Sequence, residues 1–108
     1  MVATPFLEPQ EVNIVEKRSE HSVAIIGCGS KGIFFANLFA ESGYTVICTD
    51  ADPSIVKKTA KGKTISSKPE LEMLLKHNIR KGQISVGSEI KKVVSQSDII
   101  IVTISAVD

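Results

Sequence analysis

The sequence is poor in the residues and segments that characterise several classes of protein. It has two cysteines, no tryptophan and one tyrosine in 108 residues. Two cysteines without CxxC spacing exclude a disulfide framework and indicate neither a zinc site nor a redox pair, so Cys28 and Cys48 are expected to be small buried side chains. The two histidines have no partners at metal-ligand spacing, and no metal site is predicted. No apolar run exceeds four residues, whereas a membrane-spanning helix needs about 20.

A strong charge of one sign is also lacking. Thirteen Lys and Arg against twelve Asp and Glu leave a net charge of +1, which gives no overall field to recruit nucleic acid or an anionic membrane. Residues 51–92 nevertheless hold ten basic residues against four acidic ones. No aromatic residue alternates with these bases, so they are expected to form solvated helix faces. A docking surface for an anionic ligand is the alternative.

The first residues differ in composition from the rest of the chain. Residues 1–20 contain Pro5, Pro9 and several acids but only scattered apolar residues, and they lack the basic start and apolar stretch of a signal peptide. We therefore expect an N-terminal arm over residues 1–21, one domain over residues 22–108, and a soluble, cytoplasmic chain.

Short β-branched segments then alternate with amphipathic ones. Strands are predicted at residues 22–26, 44–49, 83–86 and 99–104. Helices are predicted at residues 31–42, 53–61, 69–77 and 88–95, the last with Ser88 as its N-cap. With right-handed crossovers, this order predicts an α/β fold with an open parallel sheet of strand order 3-2-1-4. Such a sheet is the mononucleotide-binding half of a Rossmann fold.

Two apolar surfaces follow from these elements. The helix at residues 31–42 is expected to bury Phe35, Leu38 and Phe39 on one face and to leave Phe34 for packing against a further domain. The strand at residues 99–104 is apolar on both faces, which is typical of a strand inside a parallel sheet. Strand order 3-2-1-4 puts it at the edge, so we expect more chain or another subunit to cover it and predict a homo-oligomer.

One motif carries chemistry. Gly27-Cys28-Gly29-Ser30-Lys31-Gly32 has the spacing GxGxxG, follows the first strand and opens the first helix. An acid, Asp50, ends the next strand 21 positions after Gly29. This combination favours dinucleotide binding over a plain structural turn.

Each position of the motif has a physical role. Gly27 permits a tight turn, Gly29 lets the backbone approach a pyrophosphate, and Gly32 lets the helix pack close to the sheet. Backbone N–H groups at the helix start, including those of Ser30 and Lys31, would face the phosphates. The Lys31 side chain would either extend into solvent or touch a phosphate.

Asp50 would complete the site. Its carboxylate would accept hydrogen bonds from the adenosine ribose and repel a 2′-phosphate, which favours NAD over NADP. Alternatively, Asp50 belongs only to the turn before Pro53, although Asp52 is better placed to cap that helix. The predicted cofactor-binding residues are Gly27, Gly29, Ser30, Lys31, Gly32 and Asp50.

Between the second and third predicted strands the sequence has Gly62-Lys63, followed by a Pro-x-Leu helix that begins at Pro69. Mainly through these residues, because every Rossmann dehydrogenase shares the glycine motif, residues 22–104 resemble the N-terminal domain of the UDP-glucose/GDP-mannose dehydrogenases. The other segments of the resemblance are residues 23–36, 49–53 and 97–102.

The resemblance implies an enzyme that oxidises the C6 alcohol of a nucleotide sugar to a carboxylate in two NAD-dependent steps. In that family the catalytic cysteine and the nucleotide-sugar site lie in later parts of the chain. Cys28 and Cys48 do not match that cysteine, so no catalytic residue is assigned. The chain is therefore expected to bind NAD, to be inactive alone, and to meet a nucleotide sugar only together with the missing domains.

Three positions depart from the family pattern. Ser30-Lys31 stands where the family often has Tyr-Val, and Ile55 stands where a Lys or Arg commonly reaches the ribose. Residues 105–107 read Ser-Ala-Val where the family usually has Pro-Thr-Pro, so the family's nicotinamide-side contacts are not assigned to these residues.

Two other functions remain open at this point. One is a nucleotide-sensing regulatory domain of the kind that gates potassium transport, and the other is a different NAD-dependent dehydrogenase such as a hydroxyacyl-CoA dehydrogenase. The sequence that follows Asp108 in a longer protein would discriminate among them.

Overall fold

A computed structural model of the protein describes residues 20–64 and 68–103. The predicted arm, apart from Glu20 and His21, lies outside the described residues, as do Ile104 and residues 105–107. The strands are β1 (Ser22–Ile26), β2 (Thr45–Thr49), β3 (Ile84–Val86) and β4 (Ile99–Val102). The helices are α1 (Ser30–Glu41), α2 (Pro53–Ala60), α3 (Pro69–Arg80), α4 (Ile90–Ser95).

The four strands form one parallel sheet of order β3-β2-β1-β4, so the predicted fold class and strand order are confirmed. Strand β1 pairs with β2 up to Ile26↔Thr49 and with β4 up to Ile26↔Val102. Because parallel strands end at the same edge, the segments that follow β1, β2 and β4 are brought together there.

The core is centred on β1, whose Val23, Ala24 and Ile25 are fully buried. A strand of a parallel sheet with helices on its faces is expected to be apolar throughout, and β1 follows that rule. Strand β4 lies at the edge of the described sheet, with Ile99 and Ile101 buried. Among the described residues it is therefore an edge strand and not an interior one, and its cover stays a prediction.

Helix α1 meets the sheet through smaller residues than predicted. Its buried face includes Ile33, Ala36 and Ala40, which follow helical spacing, while Phe35 and Phe39 only pack against the core from its margin. The prediction that Leu38 shares this face is wrong, because Leu38 is 48% exposed. Small alanines let the helix approach the sheet closely, and this contact rotates Leu38 outward. Phe34 is also exposed, at 52%.

Several predicted helix ends need correction. Helix α4 begins at Ile90 with Glu89 as its N-cap, so Ser88 is not the cap. The reason is that Gly87 N–H donates to Cys48 O at 2.8 Å, which keeps the chain beside β2 past the end of β3 and leaves Ser88 in the turn. Helix α1 begins one residue before the predicted start, and α3 continues past His77 to Arg80.

The turn after β1 requires glycine at position 27. Gly27 has φ +108°, a backbone conformation that L side chains rarely adopt. Its N–H donates to Thr49 O at 2.9 Å, and a Cβ on it would overlap the Thr103 carbonyl oxygen. Gly82 also has a positive φ, +77°, but nothing lies within 4 Å of its missing Cβ.

These two glycines give a matched test of the turn. Gly82→Ala should lower the free energy of unfolding by only about 1 kcal/mol, because its cost is backbone strain alone. Gly27→Ala adds an overlap with backbone that cannot move without breaking the sheet, so we expect a loss of about 3 kcal/mol or more. Urea denaturation followed by circular dichroism measures both values, and equal losses would contradict the close approach.

Candidate functional site

Helix α1 begins at the carboxyl edge of the sheet with its N-terminal N–H groups uncapped. Its N-cap, Gly29, has φ −73° and ψ −171°, makes no side-chain cap and is followed by no acidic residue in the first turn. The first helical bond runs from Ile33 N–H to Gly29 O at 2.9 Å. Within the described ranges, the N–H groups of Ser30, Lys31 and Gly32 have no acceptor. The positive end of the helix dipole therefore faces outward and could hold an anion.

Gly32 brings this helix end onto the preceding loop. A Cβ on Gly32 would overlap the Gly27 carbonyl oxygen and would lie 3.2 Å from Thr103 Oγ1. The close packing expected at Gly32 is therefore made with the loop after β1. Any larger residue would push the free N–H groups away from the sheet edge.

Asp50 lies directly beside the glycine motif. One oxygen, Oδ2, accepts from Cys28 N–H at 2.8 Å, and the other, Oδ1, accepts from Asp52 N–H at 2.9 Å. Each carboxylate oxygen has a second lone pair that these bonds do not use. The residue thus ties the glycine loop to the end of β2 and keeps capacity to accept further hydrogen bonds.

The cap of α2 belongs to Asp52, as expected from the sequence. Asp52 Oδ1 accepts from Ser54 N–H at 2.9 Å and from Ser54 Oγ at 2.8 Å. These bonds to Ser54 lower the pKa of the Asp52 carboxyl below its usual value. Because Asp52 fills the capping position, Asp50 is not needed for that role.

The exposed side chains of the first turn of α1 are Ser30 and Lys31. In the described part of the chain, no carboxylate lies within 4.0 Å of Lys31 to form an ion pair. Ile55, at the position where the family commonly has a Lys or Arg, packs against the core. Because isoleucine carries no charge and this side chain packs against the core, Ile55 cannot make the contact to a ribose that a Lys or Arg would make.

Both cysteines are buried, and neither resembles an accessible nucleophile. Cys28 is 1% and Cys48 0% exposed, and both belong to the apolar core. Cys28 Sγ donates to Thr49 O at 3.3 Å. A hydrogen bond to the Cys28 thiol, together with complete burial, raises the pKa of Cys48 well above its usual value. The expectation that both are small buried side chains is confirmed.

Thr103 is a neighbour of the motif that the sequence analysis missed. It follows β4, and its Oγ1 donates to Gly27 O at 3.1 Å and lies 3.4 Å from Ile26 O. Gly27 and Thr103 lie 76 positions apart in the sequence. No local motif contains this contact, and only the register of β4 against β1 could have indicated it.

The described residues show neither a metal cluster nor a membrane-spanning helix. Among the described residues, no three His, Cys, Asp or Glu side chains cluster in a way that could hold a metal ion. No helix in residues 20–64 or 68–103 is long and apolar enough to cross a membrane. His21 Nδ1 lies 3.3 Å from Asp98 Oδ2, beside the start of β1.

Comparison with known proteins identifies relatives of this domain. A UDP-glucose 6-dehydrogenase of Rhizobium meliloti is 27% identical over 82 residues, which are 76% of this chain and 19% of the relative. A UDP-glucose 6-dehydrogenase of Bacillus subtilis is 29% identical over 82 residues, with 76% and 18% covered. The chain thus spans about a fifth of the length of the curated relatives it matches.

Solved structures give the same result. A GDP-mannose dehydrogenase from Pseudomonas aeruginosa superimposes with TM-score 0.71 and 28% identity over 77% of this chain and 19% of that one. A UDP-glucose dehydrogenase from Pyrobaculum islandicum gives TM-score 0.67 and 28% identity over 71% of this chain and 18% of that one.

The family description "UDP-glucose/GDP-mannose dehydrogenase family, NAD binding domain" matches residues 21–106 and confirms NAD as the predicted cofactor. The chain therefore belongs to the UDP-glucose/GDP-mannose dehydrogenase family, of which it is the NAD binding domain.

Proposed function

We propose that this chain holds the ADP-ribose part of NAD at the carboxyl edge of its sheet, as the cofactor-binding part of a nucleotide-sugar 6-dehydrogenase. The observation that carries the proposal is the uncapped start of α1 beside Asp50. These two features offer N–H donors for a pyrophosphate and a carboxylate for a ribose within one loop. The family to which the chain belongs supports this choice over a potassium-transport sensor or a hydroxyacyl-CoA dehydrogenase.

The pyrophosphate would be held by backbone groups. Ser30, Lys31 and Gly32 supply N–H groups that lack acceptors in the described ranges, and Gly29, without a side chain, would let a pyrophosphate approach the backbone. Because backbone donors are used, Ser30-Lys31 can replace the family's Tyr-Val without loss of the site. The exposed Lys31 side chain adds a positive charge close to the phosphates.

The ribose would be held by Asp50. Its carboxylate is fixed by the two hydrogen bonds to backbone N–H groups and keeps one lone pair on each oxygen. A 2′-phosphate would bring negative charge against this carboxylate, which disfavours NADP. Ile55 supplies no compensating positive charge, which further favours NAD.

The reaction that we propose for the longer protein is oxidation of the C6 alcohol of a nucleotide sugar to a carboxylate. NAD supplies the hydride acceptor, and the residues of this chain would bind and orient it. The names of the matched relatives support a UDP-glucose-like or GDP-mannose-like substrate. Neither buried cysteine offers an accessible thiol, so this chain alone should be inactive. The homo-oligomer and the cytoplasmic location stay predictions.

Gly29→Val tests the pyrophosphate site. The φ of Gly29 is −73°, which valine can adopt, so the substitution adds no backbone strain, and the new side chain should block the phosphates in a protein that urea denaturation shows to be folded. Calorimetric titration of the 108-residue chain should show binding of NAD and ADP-ribose and its loss in this variant. Gly82→Ala, a glycine change remote from the motif, should retain the affinity for both ligands. Unchanged binding in Gly29→Val would remove the loop from the site.

Asp50→Asn tests the ribose contact. Asparagine retains an acceptor but not the charge, so NAD should bind about tenfold more weakly and its advantage over NADP should narrow. Asp52→Asn is the matched control, because it removes the same charge two residues away and asparagine still caps a helix. Titrations with NAD and NADP measure both preferences. If the two variants discriminated between NAD and NADP equally well, Asp50 would have no special role.

A further inference from the structure

Thr103 contacts the glycine motif from the side opposite to Asp50. Its N–H donates to Ile26 O at 2.9 Å, which extends the pairing of β4 with β1 by one residue. Its Oγ1 also donates to the next carbonyl along the chain, Gly27 O, at 3.1 Å. Thr103 is therefore bound to the last residue of β1 through its backbone and to the first residue of the motif through its hydroxyl.

The peptide group between Gly27 and Cys28 is consequently held at both ends. Its carbonyl oxygen accepts from Thr103 Oγ1, and its N–H donates to Asp50 Oδ2 at 2.8 Å. In a trans peptide the C=O and N–H bonds point in opposite directions, so two such partners fix the rotation of the peptide plane. That rotation sets the direction of the backbone into Gly29 and the start of α1.

We propose that Thr103 is a positioning residue for the cofactor. Its hydroxyl, opposite the Asp50 carboxylate, fixes the Gly27–Cys28 peptide and so aims the N–H groups that follow at the pyrophosphate. The inference rests on the proposed function for the identity of the ligand. A loop already held in its bound orientation loses less entropy when the ligand arrives, and this is how the hydroxyl raises affinity.

The glycines of the motif provide the space that this hydroxyl needs. A Cβ on Gly27 would overlap the carbonyl and approach the hydroxyl of Thr103, and one on Gly32 would lie 3.2 Å from Thr103 Oγ1. Side chains at either motif position would therefore displace Thr103. The structure thus gives Gly27 and Gly32 a second function besides close packing, which is to admit a hydroxyl group from β4.

The test compares Thr103→Val with Thr103→Ser in the 108-residue chain. Valine keeps the branched shape but has no hydroxyl, so NAD and ADP-ribose should bind about fivefold to tenfold more weakly. Serine keeps the hydroxyl and should restore both affinities to within about twofold of the original. Adenosine, which has no pyrophosphate, should bind all three proteins equally. Ser97→Ala is the control. It removes a hydroxyl that donates at 2.6 Å to the carbonyl of Val93, in the last turn of α4, and it should change none of these affinities.

Three results would overturn the proposal: equal affinity for NAD in Thr103→Val, failure of serine to rescue it, or an equal loss of adenosine binding. Thr103→Ala replaces the valine variant if denaturation shows that valine unfolds the chain.

If the unmodified chain binds neither NAD nor ADP-ribose at millimolar concentration, the proposed function fails instead. Amide exchange by nuclear magnetic resonance then decides the role of Thr103. Loss of the hydroxyl should speed exchange of the Cys28 N–H, and unchanged exchange would overturn the proposal.

Discussion

The structure depends on the close approach of the start of α1 to the end of β1. Gly32 lies so near the Gly27 carbonyl that no side chain fits between them. This approach fixes where the helix begins and which way its free N–H groups point. A helix end held a few ångströms further from the sheet would direct the same N–H groups into solvent, beyond the reach of a ligand that also contacts Asp50.

The strand register carries this constraint to the neighbouring strands. Ile26 is paired with Thr49 on one side and with Val102 on the other. The next residues along the three strands are therefore Gly27, Asp50 and Thr103, at the same level of the sheet edge. A carboxylate acceptor and a hydroxyl donor thus stand on either side of the turn, although they are far apart in sequence. A shift of β2 by one residue would separate Asp50 from the peptide group that both residues hold, and a shift of β4 would separate Thr103 from it.

The part of this arrangement that sequence could predict is the part encoded locally. The glycine spacing, the acid after the second strand and the Asp52 cap each depend on residues within a few positions of one another or on a single βαβ unit. Leu38, the start of α4 and Thr103 depend on contacts made across the sheet. Leu38 is exposed because the alanines of α1 meet the sheet, and Ser88 is left in a turn because the Gly87 N–H donates to Cys48 O. Neither cause is visible in a window of sequence.

The position of β4 explains why Thr103 is well placed to affect a dinucleotide. Right-handed crossovers from β1 to β3 move in one direction along the sheet, and the crossover through α4 returns in the other. The connections therefore change face between β1 and β4, and at such a point a crevice opens at the carboxyl ends of the strands. Asp50 lies on the β2 side of β1, where the proposed function places the adenosine end of the ligand, whereas Thr103 lies on the β4 side, towards which the rest of a dinucleotide would extend. The hydroxyl of Thr103 thus holds the Gly27 carbonyl at the position where the two halves of a dinucleotide would meet under the proposed function.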